Sequence, residues 1–83
     1  MEQRQYLIIV EGGKGENYSA YSPDVEGCVA TGDMLGEAID NMRNALVFHL
    51  EGMLLRGQEI PAGSDGTAVY MTINVPAVKP ELA

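Results

Sequence analysis

Sixteen consecutive residues, Tyr18 to Asp33, leave the middle of this chain little conformational choice. Tyr18 to Ser22 has the composition of a short strand with aromatics near both ends. Pro23 ends it, because proline has no N–H to give a ladder. Asp24 through Gly27 reads as a turn: aspartate bonds its own backbone and glycine accepts positive φ. Cys28 to Thr31 is a second brief β-prone run closed by Gly32, and Asp33 is placed to cap a helix. The run therefore predicts a hairpin that feeds directly into a helix.

The flanks extend this reading. Tyr6 to Val10 is apolar on both faces, as expected of a central strand covered on each side. Glu11 to Glu16, with Gly12, Gly13 and Gly15, has the composition of a hairpin loop. No G-K-[ST] follows these glycines and no helix begins there, so they do not read as a phosphate loop. From Leu35 to about Arg56, Leu35, Ile39, Met42, Leu46, Leu50 and Met53 recur at three- and four-residue steps, and Ala38 and Ala45 widen the stripe. A second apolar group, Val47, Phe48, Leu54 and Leu55, extends that surface around the last two turns. Either the C-terminal segment covers it or another chain does. Gly57 stops the helix and Pro61 prevents its return.

Ala62 to Gly66 reads as a loop. In Ala68 to Val75, Val69, Met71, Ile73 and Val75 alternate with Tyr70, Thr72 and Asn74, the period-two pattern of a half-buried strand. Pro76 and Pro80 bracket a tail. The predicted order is thus β-β-β-α-β, an α+β fold in one domain over residues 1–83, with an ordered core of about 5–76 and a tail at 77–83. A meander of three strands and a right-handed crossover through the helix give a mixed four-stranded sheet in order 3-2-1-4, with one long helix packed on it. Strands three and four are then the open edges, which favour pairing with another chain.

A chain of 83 residues buries about 60–65% of its unfolded surface, so oligomerisation, as a dimer or higher, is an expected source of further burial. Five basic against twelve acidic residues give a net charge of −7. That balance opposes direct nucleic-acid binding, which draws its affinity from Lys and Arg on phosphates. It suits either a basic protein partner or plain solubility. No apolar run approaches the roughly 20 residues of a membrane span, and no basic start leads into a long apolar stretch. One cysteine fits a reducing, cytoplasmic setting.

Chemistry-bearing residues are few. His49, the single histidine, falls beside the apolar stripe and reads as a packed helix histidine. Cys28 lies between Gly27 and Val29 and reads as a buried small hydrophobe. No C-x-x-C or H-x-x-x-H spacing supports zinc. The order β-β-β-α-β opens the ribonuclease H fold, whose nucleases need carboxylates from the first strand, the helix and the fourth strand. Here Tyr6 to Val10 has none and the fourth strand has none, with Asn74 its nearest polar candidate. Glu37 and Asp40 on the helix lack partners to share a metal. The expectation is no enzyme, no metal and no cofactor.

Against this background the chain resembles the HicB-like antitoxin family. The resemblance is carried by Pro23-Asp24, Gly27-Cys28 and Gly32-Asp33 in the central run, by Glu37-Ala38-Ile39 against the family's E-A-[LI], and by Gly57 to Pro61 against its G-x-x-[IL]-P. It spans about Tyr6 to Pro76. It implies a degraded ribonuclease H-like domain without nuclease activity. It also implies an antitoxin that binds a small basic HicA-type toxin and covers its RNA-cleaving surface. In that reading Asp24, Glu26, Asp33 and Glu37 present carboxylates to Arg or Lys of the toxin, while Val47, Phe48, Leu54 and Leu55 meet an oligomer mate or partner. Two departures are visible. Many relatives carry a C-terminal DNA-binding module, and none is expected within these residues, so this chain alone is not expected to bind an operator. The helix start reads Met34-Leu35-Gly36-Glu37, where the family often has Thr or Ser followed by two acidic residues. The alternative function is a self-associating small binding module with another protein partner and no toxin.

Overall fold

The computed structural model describes residues 2–80. Its elements are β1 (Ile9–Gly12), β2 (Tyr18–Ser22), β3 (Val25–Gly32) and α1 (Leu35–Leu55). The strands form one antiparallel meander in order β1-β2-β3, with β1 and β3 as its edges. Val10 pairs with Ala20 and Ala20 with Ala30, so these three form a row across the sheet. Ala20, Ser22, Val25, Cys28 and Gly32 are buried, whereas Tyr21 and Val29 are exposed on the opposite face. This is the alternation of a sheet covered on one side only.

The hairpin is tighter than its sequence predicts. Pro23 and Asp24 alone make the turn, and Ser22 pairs with Val25 across it. Glu26, Gly27 and Cys28 then fall between that pair and Tyr21–Val29, as an irregularity in the ladder where Gly27 has φ 78°. The first strand begins at Ile9, later than the expected Tyr6. The backbone before it is spoken for elsewhere: the Leu7 N–H donates to Asp24 Oδ2 at 2.7 Å, and the Gln5 carbonyl accepts from the Ser64 N–H at 2.7 Å.

Helix α1 starts from Met34 in extended conformation (φ −125°, ψ 154°), which caps it without a side-chain bond. The expected cap by Asp33 is therefore not formed. Instead Glu37 reaches back past the cap, its Oε1 accepting the Asp33 N–H at 3.1 Å. At the other end the Gln58 N–H donates to the Met53 carbonyl and the Gly57 N–H to the Leu54 carbonyl, with Gly57 at φ 73°. This Schellman closure satisfies the last carbonyls.

The expected fourth strand is not in the sheet. Among the described residues the ladder ends at β1, and Ala68–Val75 is extended but unpaired. Its alternating apolar residues are 61–85% exposed. The radius of gyration is 17.7 Å, against about 12 Å for a compact domain of this length, because this arm projects from the body. The order 3-2-1-4 is corrected accordingly: β1 is an edge strand, and Tyr6 to Val10 is half-buried where cover on both faces was expected. Residues 77–80 continue exposed, and the rest of the expected tail lies outside the described residues.

The core is built from Ala20, Val25, Cys28 and Met42, with Tyr6, Ile8, Val10, Ala30, Ala45 and Leu46 packed against it. A Cβ at Gly32 would stand 2.5 Å from the Ala38 amide nitrogen and 2.9 Å from its Cα. Only glycine lets the end of β3 come that close to the first turn of α1. Gly32→Ala should therefore lower the unfolding free energy by about 1–3 kcal/mol. Gly36→Ala meets nothing within 4 Å and should raise it by up to about 1 kcal/mol. Urea denaturation of the two variants checks both signs.

Candidate partner interface

The helix packs chiefly on β3 and β2 and least on β1. Because the sheet ends at β1, a groove of about 1180 Å³ opens between that strand and α1. Tyr6, Ile8 and Val10 line it from the sheet side, and Ile39, Met42, Leu46, Val47, Leu50 and Leu54 from the helix. Glu2, Arg4 and Arg43 are the charged residues of its lining. The site thus offers a strand edge with unused backbone groups beside an apolar wall, which is the arrangement an added strand requires.

One end of the groove is held by a latch that sequence reasoning did not find. Arg4 Nη1 donates to the Ile60 and Pro61 carbonyls at 3.3 and 3.1 Å, and the Tyr6 hydroxyl donates to Pro61 O at 2.6 Å. Gln5 Nε2 donates to Ser64 O at 3.3 Å. Arg4 also pairs with Glu2, and the guanidinium hydrogen bond lowers that carboxyl from its ordinary range. These bonds bring the segment after α1 back to the start of β1. No local pattern announces them, since they join residues more than fifty positions apart.

The second apolar group divides between two helix flanks. Val47 and Leu54 line the groove, and Phe48 and Leu55 lie outside its lining. All four are exposed, at 56, 79, 59 and 87% for Val47, Phe48, Leu54 and Leu55. The C-terminal segment of the same chain leaves them uncovered.

The four acidic candidates do not converge. Asp24 and Glu26 lie at the start of β3, and Asp33 and Glu37 beyond its far end. Across the ladder Val25 lies opposite Ser22 and Gly32 opposite Tyr18, so the pairs stand about four steps, or about 13 Å at ~3.3 Å per step, apart. Two of the four have structural partners. Asp24 is half-buried, accepts the Leu7 N–H through Oδ2, and its own N–H donates to Ser22 Oγ at 3.2 Å. Glu37 accepts the Asp33 N–H. Glu26 and the Asp33 side chain are exposed.

His49 is half-buried on α1 and Cys28 is buried. Among the described residues no group of three His, Cys, Asp or Glu side chains could hold a metal ion. No helix among them is long and apolar enough to cross a membrane.

With this geometry in place, comparison with known proteins gives the family. A model described as the HicB-like antitoxin of bacterial toxin-antitoxin systems matches residues 6–77. The chain belongs to the HicB-like antitoxin family. It is 39% identical over 74 residues to an uncharacterized 14.9 kDa protein encoded in the rep–hol intergenic region of Haemophilus phage HP1, covering 89% of this chain and 53% of the phage protein. It is 30% identical over 56 residues to a UPF0150 protein of Synechocystis, covering 68% of this chain and 71% of that protein. The chain therefore spans about half the length of the phage relative. The family match runs from Tyr6 through the arm, so it includes the strand and helix walls of the groove and the projecting segment.

Asp24→Ala should lower the unfolding free energy by about 1–2 kcal/mol by removing the acceptor of a half-buried N–H. Glu26→Ala, at an exposed position, should change it by no more than about 0.5 kcal/mol; thermal unfolding of the pair checks the contrast. Burial pushes the Cys28 thiol above its ordinary pKa. The unfolded chain then loses this proton at a lower pH than the folded one. The stability contribution is complete below the ordinary thiol value and falls as pH rises toward the folded value. Urea unfolding between pH 7 and 10 should show that loss, and Cys28→Ala should reduce the slope.

Proposed function

We propose that this chain is an antitoxin that binds and masks a small basic toxin of the HicA type, with no catalysis of its own, in the cytoplasm. The observation that carries the reading is the family match over residues 6–77. Charge supports it: a protein of net charge −7 attracts a basic partner over distance and selects against acidic ones. An antiparallel meander with α1 laid across it is consistent with the degraded ribonuclease H-like domain that the sequence resemblance implies. Masking needs only a stable complementary surface, and exposed carboxylates facing Arg or Lys form charge-assisted bonds.

Of the four acidic candidates, Glu26 and Asp33 are assigned to the toxin contact, while Asp24 and Glu37 hold the first strand and the helix start. The partner is tested by adding the purified protein to a HicA-type toxin and following cleavage of a model RNA. A near-equimolar amount should stop cleavage, and undiminished cleavage at a large excess overturns the assignment. Glu26→Lys with Asp33→Lys should weaken the complex about tenfold at low salt. The difference should shrink by 0.5 M salt, where exposed charges are screened. Calorimetry at two ionic strengths reads both effects, and the melting temperature of the double variant controls for folding.

A further inference from the structure

We infer that two copies of this chain exchange their C-terminal arms, residues 68–75 of each lying in the groove between β1 and α1 of the other. The inference is independent of the antitoxin reading and rests on two features that match. One is the arm. It carries Val69, Met71, Ile73 and Val75 on one face in strict alternation, as a half-buried strand does, yet these side chains are 76, 76, 61 and 85% exposed. The other is the groove, which lacks what a strand supplies. It has an unpaired strand edge on one side and the apolar wall of α1 on the other.

The dimensions agree. The arm spans about 26 Å at ~3.3 Å per residue, and the stretch of α1 that walls the groove, Ile39 to Leu54, spans about 24 Å at ~1.5 Å per residue. Charge agrees too. No Asp, Glu, Lys or Arg occurs between Gly66 and Val78, so the segment that enters the apolar wall brings no charge to desolvate. A second copy is the occupant that necessarily carries such an arm. Exchange between two copies is reciprocal, so it fills both grooves, covers both arms and closes on a two-fold axis with no edge left over at β1.

The Ser64–Gln5 bonds place the base of the arm beside the start of its own β1. Gly63 and Ser64 are held against Gln5, and the arm leaves beyond them. In the described structure the arm projects outward, extending the molecule to 59 Å in its longest dimension.

The test uses the full chain and two variants that alter only exposed side chains of the single copy. Met71→Asp with Ile73→Asp spoils the arm, and Val47→Asp with Leu54→Asp spoils the groove. Light scattering at about 100 µM should give a dimer for the native chain and monomers for each variant, with unchanged circular dichroism. Mixing the variants should restore a 1:1 dimer, since one sound arm then meets one sound groove. The native dimer should tighten several-fold between 50 and 500 mM salt, because two bodies of like charge repel less when screened. A native monomer would overturn the exchange, whether its arm is free, folded on its own body or held by another protein. So would a dimer indifferent to the arm variant, or a mixture that stays monomeric.

Discussion

The end of β3 can touch the first turn of α1 only because small residues meet there, and the position of the helix follows from that contact. Gly32 leaves no room for a side chain against Ala38, whose exposure is zero. Behind it, Ala30 and Ala20 continue a row of small residues across the sheet. Dispersion attraction rises steeply at such close range, so the helix settles over β3 and β2. Met42, at 1% exposure, then fills the space between helix and sheet. A helix placed on that side of a three-stranded sheet cannot also cover β1. The groove is therefore a consequence of where the small residues lie.

That placement leaves much apolar surface outside the core. The fully buried hydrophobic residues are Ala20, Val25, Cys28, Ala38 and Met42, three of them small. Meanwhile Phe48, Leu55, Tyr70 and Val75 stand at 79–99% exposure. Burial contributes roughly 25 cal/mol for each Å² of apolar surface removed from water, so a copy of this chain by itself leaves a large favourable term unrealised. Large contiguous apolar surfaces on a single chain mark places where something else docks. The arm and the groove are the two such surfaces whose shapes answer each other.

Legibility from sequence followed the range of the interactions. The hairpin, the helix and its stop were readable because each depends on neighbours: Pro23 ends β2, Gly57 closes α1, and apolar residues recur at helical spacing. Small local errors came from side chains that chose a different partner. Asp33 was expected to cap the helix, but Glu37 occupies its N–H and Met34 takes the cap position. Asp24 suited a solvent-facing turn, yet its carboxylate holds the Leu7 N–H from 17 residues away. The alternation in Ala68–Val75 predicts a fourth strand that the sheet does not contain, because periodicity marks an apolar face without saying whether a ladder of the same chain receives it. The four carboxylates are close in sequence, but β3 places Asp24 and Glu26 at one end of its ladder and Asp33 and Glu37 beyond the other.

The order of the strands decides how the two proposed contacts coexist. The arm would enter beside β1, whereas Glu26 lies on β3 and Asp33 follows it, at the other edge of the sheet. Exchange of arms consumes the β1 edge and leaves the β3 edge of each copy open. A dimer closed through its arms would thus present two separate acidic edges, each on its own sheet, and would carry twice the charge of one copy. The field that draws a basic partner would be strengthened by the association that buries the apolar surface, since charge sums over the assembly while each edge keeps its own geometry. On this arrangement the partner need not compete with the arm, and two toxins would be held by two antitoxins through independent sites.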